Sequence, residues 1–367
     1  MIQNKRLVSL DVFRGLTVML MIFVNNGAGN EIFSQLKHSK WNGLTLTDLV
    51  FPFFLFIMGA SCYLSLKKSE FIWSKDIFKK VVKRTILLFL IGLFINWFDI
   101  ACDGRPFDFA HLRIMGVMQR ISICYGFATV IILTCKTYFG STNGIIGCII
   151  GILVVYSGLI LFYGGYNYDS ATNILAQIDL SALGYDHLYH KSPVDPEGII
   201  STLPSIANTL LGFFVSATID KYKNQRITIL ILSGVVLIIT GSLFTPLLPI
   251  NKRIWSPTYA LITCGIGTLL WGILVYIIDR EKKSNTNSYP LQTLSIAFGT
   301  NPLFLYLVSE LLATLFGSTG VKEQIFGNLH LLITNGYWTS AAYATIFLSI
   351  HIILALLLFH KKILIKI

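Results

Sequence analysis

Three clusters of polar residues stand where an apolar chain has little reason to carry them. In LDVFRGLTVMLMIFVNNGAG, Asp11 and Arg14 are i,i+3 neighbours and share a helix face. Charge within a membrane helix is costly, so this pair reads either as a structural ion pair or as part of a functional polar path. Asn25 follows Asp11 by fourteen residues. That is about 40° short of four helical turns, so Asn25 lies on nearly the same face, roughly 21 Å further along. Asn25, Asn26 and Gly27 also suit a helix end. In HSKWNGLTLTDLVFPFFLFIMG, His38 stands ten residues before Asp48. A carboxylate can orient an imidazole and support it as a general base. Asp48 equally suits a helix start, and Trp41 reads as an interfacial anchor. The third cluster, YDHLYHKSPVDPEG at 185–198, gathers Asp186, His187, His190, Asp195 and Glu197. Its His-x-x-His spacing is a weak metal signal, and a polar loop with tyrosines better suits a sugar-like ligand. Its Asp-Pro-Glu-Gly end also reads as a turn. Glu310 and Arg120 are further charges within apolar stretches.

The elements that must position these groups are membrane helices. The chain has 367 residues, 54% hydrophobic and only 13% charged, with a mean hydropathy of +0.68. Soluble domains carry roughly 25% charged residues. The composition therefore excludes a cytosolic globular enzyme, a disordered chain and a nucleic-acid binder. Apolar runs near the length of a membrane crossing predict ten spans: 7–27, 48–66, 81–98, 117–135, 144–163, 199–217, 227–248, 258–278, 293–315 and 338–359. Gly299, Asn301 and Pro302 interrupt the ninth. The first lacks a small-x-small cleavage site, so it is expected to be retained.

Charge sets the expected orientation. With the N-terminus inside, nineteen Lys and Arg fall in cytosolic segments and nine in outer segments. The positive-inside rule then places both termini in the cytosol, and the net charge of +11 becomes largely a statement about topology. The outer loops 28–47 and 164–198 are the expected functional loops of a single transmembrane domain, 1–367. Of six cysteines only Cys102 falls in a loop, and no C-x-x-C pair suggests a disulfide framework or a zinc site. No nucleophile elbow, phosphate-binding loop or zinc signature is present. The residue chemistry thus gives a polar path and an outward His/Asp site, and leaves both a transporter and an enzyme open.

At these same residues the chain resembles the heparan-α-glucosaminide N-acetyltransferases, specifically their compact bacterial relatives. The matching stretches are the two quoted first, RIMGVMQRISICY, DHLYH with VDPEGIISTLPSI, and PINKRIWSPTYALIT, with a looser match through NPLFLYLVSE. They occur in family order and cover nearly the whole chain. The resemblance implies transfer of an acetyl group from cytosolic acetyl-CoA to a glucosamine amine on the outer side. It maps the active-site histidine onto His38, its carboxylate onto Asp48, and its asparagine onto Asn25, with Asn26 as second candidate. It implies no metal.

Two departures bear on the acceptor. The lumenal domain that precedes the first span in the animal enzymes is not expected here, and Glu310 follows Ser309 where the animal form has His. A free amino sugar or short periplasmic oligosaccharide is therefore the expected acceptor. The binding candidates are Asp11, Arg14, Lys83 and Arg84 towards the cytosol, and Trp41, Asn42, Arg120, His187, Asp195, Glu197, Lys252 and Glu310 elsewhere. The basic group Lys67, Lys68, Lys79, Lys80, Lys83 and Arg84 is expected to supply ligands to the CoA phosphates. The expected partners are acetyl-CoA, the amino sugar and the lipid bilayer of a bacterial inner membrane, with a homodimer left open and no nucleic acid. The alternatives are a proton-coupled sugar or amino-sugar transporter and an O-acetyltransferase of envelope glycans.

Overall fold

Hydrophobic runs of this length satisfy their backbone hydrogen bonds internally only as helices, and the computed structural model describes residues 7–140, 142–192, 194–279 and 290–365, in which all the regular secondary structure is helical. The long helices are α1 (Val8–Asn25), α2 (Leu46–Leu66), α3 (Lys75–Cys102), α4 (Val117–Phe139) and α5 (Asn143–Gly158). After the short α6 (Ile174–Leu183) come α7 (Thr202–Lys221), α8 (Arg226–Leu243) and α9 (Pro257–Leu274). The chain continues through α10 (Pro290–Thr300), α11 (Pro302–Ser318), α12 (Val321–Leu332) and α13 (Gly336–His360). Among the described residues nine helical segments are long and apolar enough to cross a membrane, or ten if α10 and α11 form one bent span. The protein is a polytopic helical membrane protein.

The ninth span is interrupted where the sequence places the break, with α10 and α11 meeting at 82°, because Pro302 starts the second helix and Asn301 lies between them. The structure departs from the expected outline in three places. The third span reaches Cys102, which is therefore helical and not in a loop. The loop 164–198 contains α6, started by the Asn173 side chain accepting from Leu175 and Ala176 N–H. Leu175 and Ala176 then pack with Tyr156, Ile160, Leu161, Val194, Leu248 and Ile254 in a small second core. Finally, α12 forms where only a connection was expected, with none of its residues buried.

The main core is built by α1, α2, α4, α7, α9 and α10. By contrast α3, α5, α8 and α13 keep large apolar side chains outward, including Leu90, Val155, Leu232 and Ile353. In a bilayer such a surface faces lipid. At the centre, α2 and α7 cross at Gly59 and Gly212, each against the other helix's backbone. A side chain at either position would collide with main chain, a small-residue crossing common in membranes. Gly59→Leu is therefore expected to lower stability by about 3 kcal/mol, read as a large fall in melting temperature in detergent, whereas Gly147→Leu, which meets open space, should leave it near wild type.

Leu7 and the residues after α13 lie at one end of the bundle, tied there by Ser9 Oγ donating to Asp279 Oδ2 (2.6 Å) and by Asn301 bonding the Ile363 and Ile365 backbone. The loops carrying His38, Arg113, Asp195 and Lys252 meet at the other end. These are called the terminus end and the loop end below.

Candidate active site

At the loop end the chain after α1 folds back to start α2 through a capping box. Thr45 Oγ1 accepts from Asp48 N–H, and the Asp48 carboxylate accepts from Thr45 N–H (3.1 Å). The same Oδ2 also accepts from Ser39 N–H (3.1 Å) and Thr45 Oγ1–H (2.9 Å). This leaves Oδ1 for His38, whose Nδ1 lies 2.8 Å away. Asp48 is fully buried and the His38 side chain half exposed. An ionised buried carboxylate needs a donor, so Nδ1 carries the proton and Nε2 keeps its lone pair.

A second loop closes over this pair. Gly43 N–H donates to Ile250 O (2.8 Å), and Asn251 Nδ2 donates to Asn42 Oδ1 (3.1 Å). Trp255 turns back at φ +47 with its N–H on Lys252 O (3.0 Å). A left-handed conformation is costly for a bulky residue, about 1–2 kcal/mol. It is offset by complete burial of the indole and its hydrogen bond to Asn208 Oδ1 (3.0 Å). The turn brings Lys252 Nζ to 3.0 Å from His38 Nδ1, 3.2 Å from Nε2 and 3.9 Å from Asp48 Oδ1.

His38 and Lys252 line a cavity of about 540 Å³ that α1 enters with Asn25 and Asn26. Asn26 is buried and donates to Ile22 O (2.7 Å). Asn25 is exposed to the cavity and makes no side-chain hydrogen bond among the described residues. The opposite wall carries Asn96, Arg113, Tyr189, Glu197, Tyr306 and Glu310. Arg113 bonds Asp195 Oδ1 (2.7 Å) and Glu197 Oε2 (2.6 Å) and lies over the Tyr189 ring. Burial opposes its charge, but the two carboxylates outweigh burial and hold Arg113 above its ordinary pKa. Burial likewise works against an ionised Glu197, yet Arg113, Arg120 and Lys252 hold it below the usual carboxylate range.

A second cavity of about 470 Å³ opens towards the terminus end. Arg14, Arg84, Ser61, Ser65, Tyr125 and Asn301 supply its polar wall. Arg14 donates to Ser61 Oγ (2.7 Å), to Gly299 O (3.2 Å) and to Asp11 (3.2 Å). Arg84 lies over the Tyr125 ring, and its buried Nε has no hydrogen-bond partner among the described residues. Phe54, Ile121 and Leu303 line both cavities. The two cavities thus adjoin at an apolar neck of side chains from α2, α4 and α11.

Of the residues singled out in the sequence, the structure brings His38, Asn25, Asn26, Glu197, Lys252 and Glu310 to the first cavity, with Asp48 behind His38. It brings Arg14 and Arg84 to the second, with Asp11 behind Arg14. The others serve the scaffold. Trp41 donates to Tyr168 O (2.8 Å), Asn42 ties the two loops, and His187 Nδ1 bonds Leu112 O (2.6 Å). Asp195 is buried under Arg113. Arg120 is buried against Gly198 O and Ser201 Oγ and beneath Trp255. Lys83 is exposed and lines neither cavity, and Lys67 pairs with Asp220. Sequence reading did not single out Arg113, Tyr189, Tyr306 or Asn96; the first three lie in the matched stretches RIMGVMQRISICY, DHLYH and NPLFLYLVSE, and Asn96 carried no signal.

Residues 6–244 match the family model for the catalytic region of heparan-alpha-glucosaminide N-acetyltransferase. The chain belongs to this family. The heparan-alpha-glucosaminide N-acetyltransferases of Mus musculus and Homo sapiens are each 29% identical over 92% of the chain. The matches cover 59% and 58% of those proteins, so the chain spans about three-fifths of the curated relatives' length. Family membership bears out the resemblance carried by the motifs around Asp11, His38 and Arg113. The matched region contains the His38–Asp48 pair, Arg14, Arg84 and two of the three neck residues, Phe54 and Ile121.

Proposed function

We propose that the protein is a transmembrane N-acetyltransferase, moving an acetyl group from acetyl-CoA at the terminus end to the amine of a glucosamine-type sugar at the loop end. The observation that carries this reading is the pair of cavities meeting at Phe54, Ile121 and Leu303, one lined by arginines and the other by the His38–Asp48 pair. The nineteen-to-nine charge split supports placing the terminus end in the cytosol, of a bacterial inner membrane.

The second cavity suits CoA in kind. Arg14 and Arg84 face its polar side, Arg84 with an orphaned Nε, and Ile57, Met58 and Leu303 offer an apolar wall to an acyl arm. At the loop end His38 Nε2 takes the proton of the attacking amine while Asp48 holds Nδ1–H and stabilises the charged ring. Asn25 has an uncommitted amide to donate to the developing oxyanion, a contribution of about 3 kcal/mol. Glu197, Glu310, Tyr189 and Asn96 supply the acceptors and donors that sugar hydroxyls require.

The test is reconstitution in liposomes with acetyl-CoA on one side and glucosamine on the other, scored as N-acetylglucosamine formed. A bent helix pair between two cavities also suits a proton-coupled sugar transporter. A transporter would move glucosamine unmodified and show no thermal shift with CoA. Arg84→Ala is expected to weaken acetyl-CoA binding at least about tenfold, because a charge-assisted contact is worth roughly 1.5–3 kcal/mol, and added salt should weaken wild-type binding in the same direction. Titration of the thermal shift checks both.

A further inference from the structure

Lys252 is the one primary amine whose Nζ stands beside His38, 3.2 Å from Nε2 among the described residues. On the proposed reading, Nε2 is the atom that must accept a proton from an attacking amine, and Lys252 Nζ, 3.0 Å from Nδ1 and 3.2 Å from Nε2, is already within reach of that atom. The placement of Lys252 is built in. Its loop is held by Asn251 to Asn42 and by Ile250 to Gly43, its side chain is only 13% exposed, and it lines the cavity with His38. We propose that Lys252 is an internal acceptor: with acetyl-CoA bound and no sugar present, the enzyme acetylates its own Lys252 Nζ, and acetyl-lysine at this position closes the acceptor site.

The step is the catalysed reaction with the side-chain amine in place of the sugar amine. The neutral Nζ forms a bond to the acetyl carbonyl carbon while His38 Nε2 takes one Nζ proton. The carbon–sulfur bond breaks, and that proton leaves on the CoA thiol. No further reactant is needed. An amine must be unprotonated to attack, and burial depresses the Lys252 pKa below that of a free lysine. The groups facing it divide: Glu197 and Asp48 favour the ammonium, while Arg120 and Arg253 disfavour it. The loss of a charge next to His38 and the gain of an amide beside the ring would obstruct the sugar amine's approach to Nε2.

The experiment incubates the purified full chain in detergent with trideuteroacetyl-CoA, then maps acetylated peptides by mass spectrometry and treats a parallel sample with hydroxylamine. The expected result is a hydroxylamine-stable label on Lys252 that approaches one per chain over hours. It should be lost in His38→Ala, and slowed at least tenfold by glucosamine. Acetyl transfer to glucosamine should fall in proportion to the label. Lys252→Arg, which keeps the charge without a competent nucleophile, should resist this inactivation. A preparation that acetylates glucosamine but leaves Lys252 unlabelled overturns the inference and spares the proposed function. Labelling that persists in His38→Ala, or is no faster at Lys252 than at the exposed Lys83, also overturns it. No transfer to glucosamine and no label would instead overturn the function itself.

Discussion

His38→Ala is expected to reduce acetyl transfer by at least about 10³-fold while leaving acetyl-CoA affinity within about twofold of wild type. The first number follows from the usual size of general-base catalysis, about 10²–10⁴, in a site where the amine must lose a proton to react. The second follows from the separation of the cavities. His38 lines the loop-end cavity and the arginines line the other. Asp48→Asn tests the supporting half. The asparagine can turn its amide N–H towards Nδ1, which must then accept, so the ring takes the wrong tautomer and turnover falls. The capping box retains its oxygen acceptor, so α2 should still start correctly and the melting temperature should move little. Turnover, CoA titration and a melt on the same three proteins decide it. Wild-type turnover in folded His38→Ala would remove this residue from the mechanism.

How much of this site was legible in the sequence depends on what kind of contact it uses. The apolar runs gave ten spans, nine of them single helices among the described residues, and even the break in the ninth, because Asn301-Pro302 stops a helix wherever it stands. His38 and Asp48 could be seen as suitable types but not as a pair, because their meeting depends on the chain between them folding back. The signal that would have supported it was local: Thr45-x-x-Asp48 is a capping-box spacing, and the loop it ties down delivers Ser39 N–H to the same carboxylate. Lys252 lies 214 residues from His38, and no local rule links them; the family motif alone marked it. Arg120, Asp195 and His187 were singled out because buried or clustered polar groups are conspicuous. Each instead satisfies backbone or a partner charge in the scaffold. The close crossing of α2 and α7 was invisible, since a glycine in an apolar run does not say which neighbour it admits.

Leu303→Trp is expected to lower acetyl transfer at least about 10²-fold without abolishing binding of the CoA nucleotide. Leu303, Phe54 and Ile121 are the lining that the two cavities share. On the proposed reading, a reactant that spans from Arg84 to His38 passes between them. Leu303 is the residue to enlarge because it follows the bend between α10 and α11, where Asn301 already interrupts the helix, so an indole there fills the neck with the least disturbance to a continuous span. Misplacement of a reacting group by about 1 Å can cost 10²-fold, and a blocked arm is displaced by more. The nucleotide end keeps Arg14 and Arg84, so 3′-phospho-ADP should still raise the melting temperature. Ile121→Phe, a smaller intrusion from α4, should give an intermediate loss and guards against a Trp variant that merely fails to fold. Transfer at the wild-type rate by a folded Leu303→Trp would mean that the acetyl group reaches His38 by another route. In that case the shared lining would be a packing contact between two separate cavities, and the vectorial reading would lose the observation that carries it.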